Sequence, residues 1–235
     1  MRLNNFLSRA GCCARRKAVL YIKDGKVKVN GAVVREPWYV VKDGDSVYMS
    51  GRKLSVEKEL YLIVNKPKGV TATLEDRFAA HKITDLIPKE YGRLYPVGRL
   101  DKDSRGLIVL TNDGDFCYKL THPKFEIEKE YLVMVEGEPD ARAISRLLKG
   151  VRDEDELLKV SSCSVIWAKN GKAELKVIVA EGKKRHIRRL FKFVGFPVMD
   201  IKRIRIGGIR LGELGEGRFR KLTKDDAYRL AVHSS

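Results

Sequence analysis

Residues 96–114 constrain the fold more than any other stretch of this chain. They read Pro-Val-Gly-Arg-Leu-Asp-Lys-Asp-Ser-Arg-Gly-Leu-Ile-Val-Leu-Thr-Asn-Asp-Gly. Leu107 to Leu110 is a short continuous apolar run, the pattern of a strand covered on both faces. Asn112-Asp113-Gly114 then turns the chain. Ahead of the run, Gly98 and Gly106 bracket Arg99, Asp101, Asp103 and Arg105. A polar loop resting on a rigid buried strand can hold one carboxylate in a fixed direction, which a catalytic acid requires.

Charge narrows the partner. The net charge is +17, and it is unevenly placed: 13 basic against 6 acidic residues in 1–59, 20 against 19 in 60–180, and 15 against 6 in 181–235. Basic ends around a near-neutral middle suggest a polyanion held by the ends. The plainer alternative is that the flanks only aid solubility. Cys12 and Cys13 are adjacent, Cys117 and Cys163 isolated, and no C-x-x-C occurs, so neither a disulfide framework nor a zinc site is indicated. No signal peptide and no apolar run of membrane-spanning length is visible, so a cytoplasmic protein in a reducing compartment is expected.

The first residues read as a small module. Leu3, Phe6, Leu7 and Ala10 have helical spacing, ended by Gly11; Ala14, Ala18, Val19 and Ile22 suggest a second helix, ended by Gly25. Val27 and Val29 alternate with Lys26 and Lys28 before the hairpin signal Asn30-Gly31, and Asp43-Gly44-Asp45 leads into Val47 and Tyr48. Arg15, Arg16, Lys17, Lys26 and Lys28 would form a basic outer surface, either a solvated face or an anion-binding one. The run from Arg2 to Ser8, then Ala14-Arg15-Arg16-Lys17-Ala18, then Gly25 to Gly31, resembles the S4 RNA-binding domain.

Residues 50–59 are polar and read as a linker. Strands are expected at Tyr61 to Val64, Leu107 to Leu110, Lys129 to Val135, Ser164 to Trp167 and Ala173 to Val179, the last two joined by Asn170-Gly171. Helices are expected at Lys82 to Pro88, Gly114 to Leu120, Asp140 to Lys149, Lys184 to Val194 and Asp225 to Val232. Pro67 and Gly69 place Lys66 and Lys68 on a loop at a strand end, and Val151 to Leu158 reads as an acidic loop edge. In the helix near residue 190, Ile187, Leu190, Phe191 and Val194 make the buried stripe, Arg189 and Lys192 point away, and Arg188 lies at the boundary. Lys202, Arg203, Arg205 and Arg210 fall in a glycine-containing tail.

Asp101 and Asp103 are spaced as a D-x-D metal pair, but no further acid or histidine completes a site. No nucleotide-binding glycine motif is present. What remains is one carboxylate among cations, suited to act on a sugar as nucleophile or base. Three segments, Leu62 to Gly69, Gly98 to Leu107 and Glu181 to Phe191, together with Glu128 to Val133, resemble in order the motifs of the RsuA/RluB-type ribosomal RNA pseudouridine synthases. The resemblance implies roles. Asp101 takes the place of the catalytic aspartate, Tyr131 that of the tyrosine stacked on the uracil, and Arg188 that of the basic residue paired with the aspartate. Ile187 takes that of an aliphatic residue near the base. Arg99 is similar to an arginine that holds the flipped nucleotide, and Lys66 falls in the first motif as a substrate-binding candidate. Arg189 and Lys192 join the five cations of the leading module as RNA contacts. His186 stands where the family usually has Gln.

The resemblance also implies the fold and the reaction. An α+β protein is expected: a small α/β RNA-binding module at 1–49, a linker at 50–59, and a catalytic domain at 60–235 with a mostly antiparallel mixed sheet flanked by helices. The expected activity is isomerisation of a uridine to pseudouridine in ribosomal RNA, with the large-subunit type favoured by Thr121-His122-Pro123 and the run to Tyr131. No metal or other cofactor is expected, nor any membrane association; the partner is ribosomal RNA, either free or within a ribosomal-subunit precursor, and the protein a monomer. The alternative is a non-catalytic rRNA-binding or ribosome-assembly factor on the same modules.

Overall fold

The computed structural model describes residues 1–73 and 80–232. The chain divides into two compact units, Met1–Glu59 and Leu60–Ser235. In the first, α1 (Leu3–Arg9) and α2 (Arg15–Lys23) precede β1 (Val27–Val29), β2 (Ala32–Val33), β3 (Val47–Met49) and β4 (Arg52–Leu54), whose sheet runs β2-β1-β3-β4. Leu3, Leu7, Ala18, Ile22, Val27, Val29 and Val47 fill its core. Asn30 and Gly31 both take positive φ, 51° and 86°, as the two-residue hairpin between β1 and β2 demands. The expected linker is partly strand. Residues 52–54 pair with β3 through a second tight turn at Ser50 and Gly51, which also have positive φ. Polarity misled here because an edge strand of a small sheet keeps little apolar surface to show.

The second unit is built on a nine-stranded mixed sheet. In chain order it contains β5 (Tyr61–Lys66), β6 (Tyr95–Pro96), β7 (Arg105–Thr111), α3 (Gly114–Thr121), β8 (Lys129–Glu136), α4 (Ala141–Lys149), a hairpin of β9 (Val151–Asp153) and β10 (Glu156–Leu158), β11 (Ser162–Lys169), β12 (Lys172–Val179), α5 (His186–Phe193), β13 (Val198–Ile206), β14 (Ile209–Arg210), β15 (Phe219–Leu222) and α6 (Lys224–Val232). The main path is β11-β12-β8-β13-β7-β5-β15, with β6 on β7 and β14 on β13. Within this sheet β7 and β13 run parallel, and every other described pairing is antiparallel.

The apolar run at 107–110 lies in the middle of this sheet and is covered on both faces. Leu107 and Val109 pack with Phe116, Leu120 and Ala227. Ile108 and Leu110 pack with Val70, Ile83 and Leu94 on the other side. Further along, Tyr131, Val133 and Val135 of β8 share a core with Val177 of β12 and with Ile187, Leu190 and Phe191 of α5. The expected acidic loop at 151–158 is instead a hairpin that closes this core through Val151 and Leu158. Its four acids, Asp153 to Glu156, occupy the turn and the strand ends beside it, and so hid the strands.

The β7–β13 contact fixes where the site will lie. Gly106 pairs with Arg203, and an added Cβ there would sit 2.2 Å from the Arg203 backbone oxygen. Gly106 also has φ +104°. Both the backbone angle and the close approach exclude a side chain. The two strands leave the polar loop at 98–104 beside the first half of β13.

Candidate active site

A cleft of about 270 Å³ opens where the loop before β7, the start of β8, the segment after β12 and the N-terminal turn of α5 converge. Arg99, Leu100 and Asp101 line one side, Lys129 and Tyr131 another, and His186, Ile187 and Arg188 a third; Arg203 closes the end. The structure therefore brings Asp101, Tyr131, Arg188, Arg99 and Ile187 together, although 30 to 87 positions separate Asp101 from the residues on β8 and α5.

The loop around Asp101 is held by its backbone. Lys66 Nζ donates to the carbonyl of Lys102 at 3.4 Å, Arg188 Nη2 to that of Asp103 at 3.1 Å, and Arg203 Nη1 to that of Arg99 at 3.4 Å. The amides of Gly69 and Ser104 add bonds to the Lys102 and Asp101 carbonyls at 2.9 and 3.0 Å. Three cations thus grip carbonyls on either side of Asp101, while no described residue donates to the Asp101 carboxylate. The other carboxylate on the cleft, Glu181, is paired with Lys183 at 2.6 Å. Pre-positioning of this kind leaves one acid oriented by its main chain and its side chain open to a substrate.

Two expectations change. Lys66 is not on a loop facing substrate. It ends β5 fully buried, its ammonium donating to Val70 O at 2.7 Å and Pro67 O at 3.0 Å. Burial pushes its pKa down to about 8, against the pull of Asp103 and Asp101. The strand runs further than the apolar pattern suggested because the lysine's stem packs while its head finds three carbonyls. Arg188 meets Asp103 rather than Asp101. Its guanidinium lies 3.3 Å from the Asp103 carboxylate and also donates to Val198 O at 3.1 Å, tying α5 to β13 and to the loop.

The RNA-contact candidates divide. Arg15, Arg16, Lys17, Lys26 and Lys28 are all exposed, as is Lys192. Lys26 also lies 3.3 Å from Asp24. Arg189 does not point freely to solvent: its guanidinium is taken by Asp153 and Glu156 of the hairpin, each at 2.6 Å. The tail arginines are also corrected. Arg203 and Arg205 belong to β13 and are 2% and 5% exposed. Arg205 is paired with Glu130 at 2.8 Å and Glu128 at 3.1 Å.

Sequence reasoning missed Lys129 and Arg203 as cleft residues. Arg203 Nε donates to Leu107 O at 2.7 Å, and its guanidinium carbon is 6.0 Å from the Tyr131 ring centroid. Its Nη2 is buried with no partner among the described residues, a donor left at the end of the cleft. Lys129 Nζ donates to Ile127 O at 2.7 Å, and burial, helped by the charge of Arg203, lowers its pKa to about 8. The signal for Lys129 was its place two residues before Tyr131, on the same strand face. His186, the departure from the expected Gln, is 5% exposed, and neither ring nitrogen makes a well-formed hydrogen bond among the described residues. Burial lowers its pKa, partly opposed by the charge of Glu181, so the ring is neutral near pH 7.

Residues 1–47 match the S4 domain model, and the cleft in the second unit combines one open carboxylate with an aromatic and several cations; together these define an RNA-acting enzyme. Residues 60–193 match the RNA pseudouridylate synthase model, and the chain belongs to that family. It is 36% identical over 231 residues to ribosomal large subunit pseudouridine synthase B of Bacillus subtilis, covering 97% of this chain and 95% of that protein. It is 38% identical to an uncharacterised RNA pseudouridine synthase of Mycobacterium leprae, covering 98% and 92%. A crystal structure of a pseudouridylate synthase superposes with a TM-score of 0.68 at 28% identity, covering 98% of this chain and 99% of that one. The α+β class with a mixed, mostly antiparallel sheet agrees with this family. Among the described residues no helix is long and apolar enough to cross a membrane.

Proposed function

We propose that this pseudouridine synthase acts on ribosomal RNA, with large-subunit RNA favoured, and that Asp101 is the catalytic residue. The substrate follows from the Bacillus subtilis relative, which matches over nearly its full length and is named for the large ribosomal subunit. The observation that carries the assignment of Asp101 is its open carboxylate on a loop clamped through its carbonyls, beside a Glu181 already neutralised by Lys183.

The reaction is an isomerisation. The bond from C1′ to N1 breaks, the uracil turns, and C1′ bonds to C5; C5 loses its proton and N1 gains one. A free carboxylate serves either opening step, attack on C1′ or removal of the C2′ proton. The uridine must leave its stack, at a cost of a few kcal/mol. Stacking on Tyr131 returns about 1–3 kcal/mol. Ile187 offers the base an apolar wall, and the unpartnered Nη2 of Arg203 offers a donor where oxygen or phosphate charge would otherwise be desolvated. Arg99, exposed at the mouth, is placed to hold the displaced nucleotide. Lys66 and Arg188 act as positioning residues for the loop. The leading S4 unit holds RNA through Arg15, Arg16, Lys17, Lys26 and Lys28, and the protein works as a cytoplasmic monomer on rRNA or a subunit precursor.

Asp101→Asn tests this reading against that of a non-catalytic assembly factor. With rRNA from cells lacking the protein as substrate, the variant is expected to form no pseudouridine while binding RNA within about twofold of wild type, since the altered side chain has no donor among the described residues. Undiminished product from the Asp101→Asn protein would remove the aspartate from the mechanism.

A further inference from the structure

Resting on the reading that the chain acts on RNA, we propose that Tyr118, His122 and Phe125 form a stacking platform for an unpaired base of the substrate strand outside the catalytic cleft, with Lys124 contacting its phosphate. Tyr118 lies on the outer face of α3, whose inner face buries Phe116 completely. His122 ends that helix, and Phe125 ends the short 3-10 turn Pro123–Phe125. Tyr118 is 46% and Phe125 38% exposed, and His122 is exposed as well.

The three rings form one cluster. Tyr118 is 4.6 Å from His122 and 5.7 Å from Phe125 between centroids, the second pair at 89°. A perpendicular pair presents a face and an edge at one corner, the arrangement that accepts a further flat ring. The Lys124 ammonium lies 5.0 Å from the Tyr118 centroid and 4.8 Å from that of Phe125. Rings that supply π-faces together with a cation for the backbone are the features that bind single-stranded nucleic acid without regard to sequence. Two exposed acids lie near the cluster, Glu126 after Phe125 and Asp115 one turn before Tyr118, while Lys119 turns its ammonium away to Tyr228 at 4.7 Å, which leaves Lys124 as the cation on the rings.

Position selects the occupant. Leu120 and Thr121, between Tyr118 and His122, line the catalytic cleft. His122 thus follows directly on a cleft-lining residue, so the occupant assigned to the rings is a nucleotide of the strand that delivers the flipped uridine. Core packing does not explain the rings, because Tyr118 and Phe125 stay 46% and 38% exposed with, among the described residues, only the Lys124 ammonium laid over them.

The test uses the full chain and an oligouridylate dodecamer carrying one 2-aminopurine, moved stepwise along the strand. Stacking on an aromatic side chain quenches this base, so the wild type should quench it at one or two positions. Tyr118→Leu with Phe125→Leu should abolish the quench and weaken binding by roughly 5- to 100-fold. The slope of log affinity against log salt should stay unchanged in that variant, whereas Lys124→Gln should lower its magnitude by about 0.7. On large-subunit rRNA transcript, KM should rise while kcat stays within about twofold. Phe125→Trp keeps a π-face and should keep the quench. The proposal fails if the quench survives the double leucine change, if Leu and Trp at 125 behave alike, or if the double change lowers only the melting temperature, as a protein-docking or packing role would give. Quenching that follows the rings in a protein that makes no pseudouridine would overturn the reaction and leave the platform. Normal product with quenching indifferent to the rings would do the reverse.

Discussion

What a cation in or beside this cleft can do is set by what holds it: Lys66 and Lys129 meet carbonyls, and Arg188 meets both carbonyls and an acid. Asp101, Tyr131 and Ile187 were legible through their motifs, and all three line the cleft. The grip of Lys66 on three carbonyls and of Arg188 on Asp103 was not, since both depend on loops brought together only by the sheet. Lys129 offers the sharpest test at this scale. Its pKa of about 8 means that it is charged at pH 7 and loses its proton as pH rises through 8, whereas an exposed lysine would hold it until near 10.5. If its ammonium faces the RNA, kcat/KM should fall as pH climbs above 8, because that ratio reports the free enzyme. Lys129→Met keeps most of the stem. It should flatten the profile in this window and cost about 10- to 100-fold at pH 7, the worth of one hydrogen bond to a charged group. Lys66 titrates in the same range but does not line the cleft, so a decline that persists in the methionine variant would belong to the loop support instead.

Among the elements, β7 is legible in the sequence and β13 is not, for one physical reason. A strand buried on both faces is apolar throughout, and Leu107 to Leu110 shows this plainly. In β13 the buried phase holds Ile201, Arg203 and Arg205, and Ile204 falls in the other phase. Two buried arginines, Arg203 held by carbonyls and Arg205 by a carbonyl and two glutamates, erase the period-two signal. Helix α3 was visible from the turn ahead of it, and its cap carries more than the helix. Asp113 is 2% exposed; its carboxylate accepts from the amides of Asp115 and Phe116 and from the hydroxyls of Tyr61 at 2.7 Å and Tyr228 at 2.8 Å. One side chain therefore joins β5, α3 and α6. Burial alone would raise its pKa, but the two tyrosine hydroxyls and the two amides outweigh that and hold it below the usual value. A carboxylate depressed in the folded state contributes stability above its unfolded pKa and loses it as pH falls through the folded one. Asp113→Asn should cost about 1–3 kcal/mol at pH 7, through a neutral cap and weakened tyrosine bonds. The difference from wild type should shrink as pH drops below about 4, near the ordinary Asp value. Urea midpoints at pH 7 and below about pH 4 measure both; a gap that stays constant would show that the charge is not what joins the three elements.

For the whole molecule, the basic excess at both ends does not have one meaning. In residues 181–235, Arg189 and Arg205 are spent on acids and carbonyls of the fold and Arg203 keeps only its Nη2 unpartnered among the described residues, so charge there overstates what is available to a polyanion. In the first unit Arg15, Arg16 and Lys17 stand exposed on the first turn of α2, which contains no acidic residue to offset them. Three cations at a helix N-terminus oppose the helix dipole and stay apart only at some cost unless phosphates neutralise them. Replacing all three with Gln in the full chain should therefore leave stability within about 0.5 kcal/mol or improve it, as for surface changes away from packing. RNA affinity should fall, and the slope of log affinity against log salt should drop in magnitude by about 2–3 if each cation neutralises one phosphate. Pseudouridine formation at saturating RNA should be unchanged, because these residues belong to the other unit from the cleft. A matching set at Lys192, Lys202 and Arg210, which lie in the basic C-terminal stretch, separates the two ends. If that set lowers the slope as much as the first does, the S4 unit is not the principal holder of the RNA.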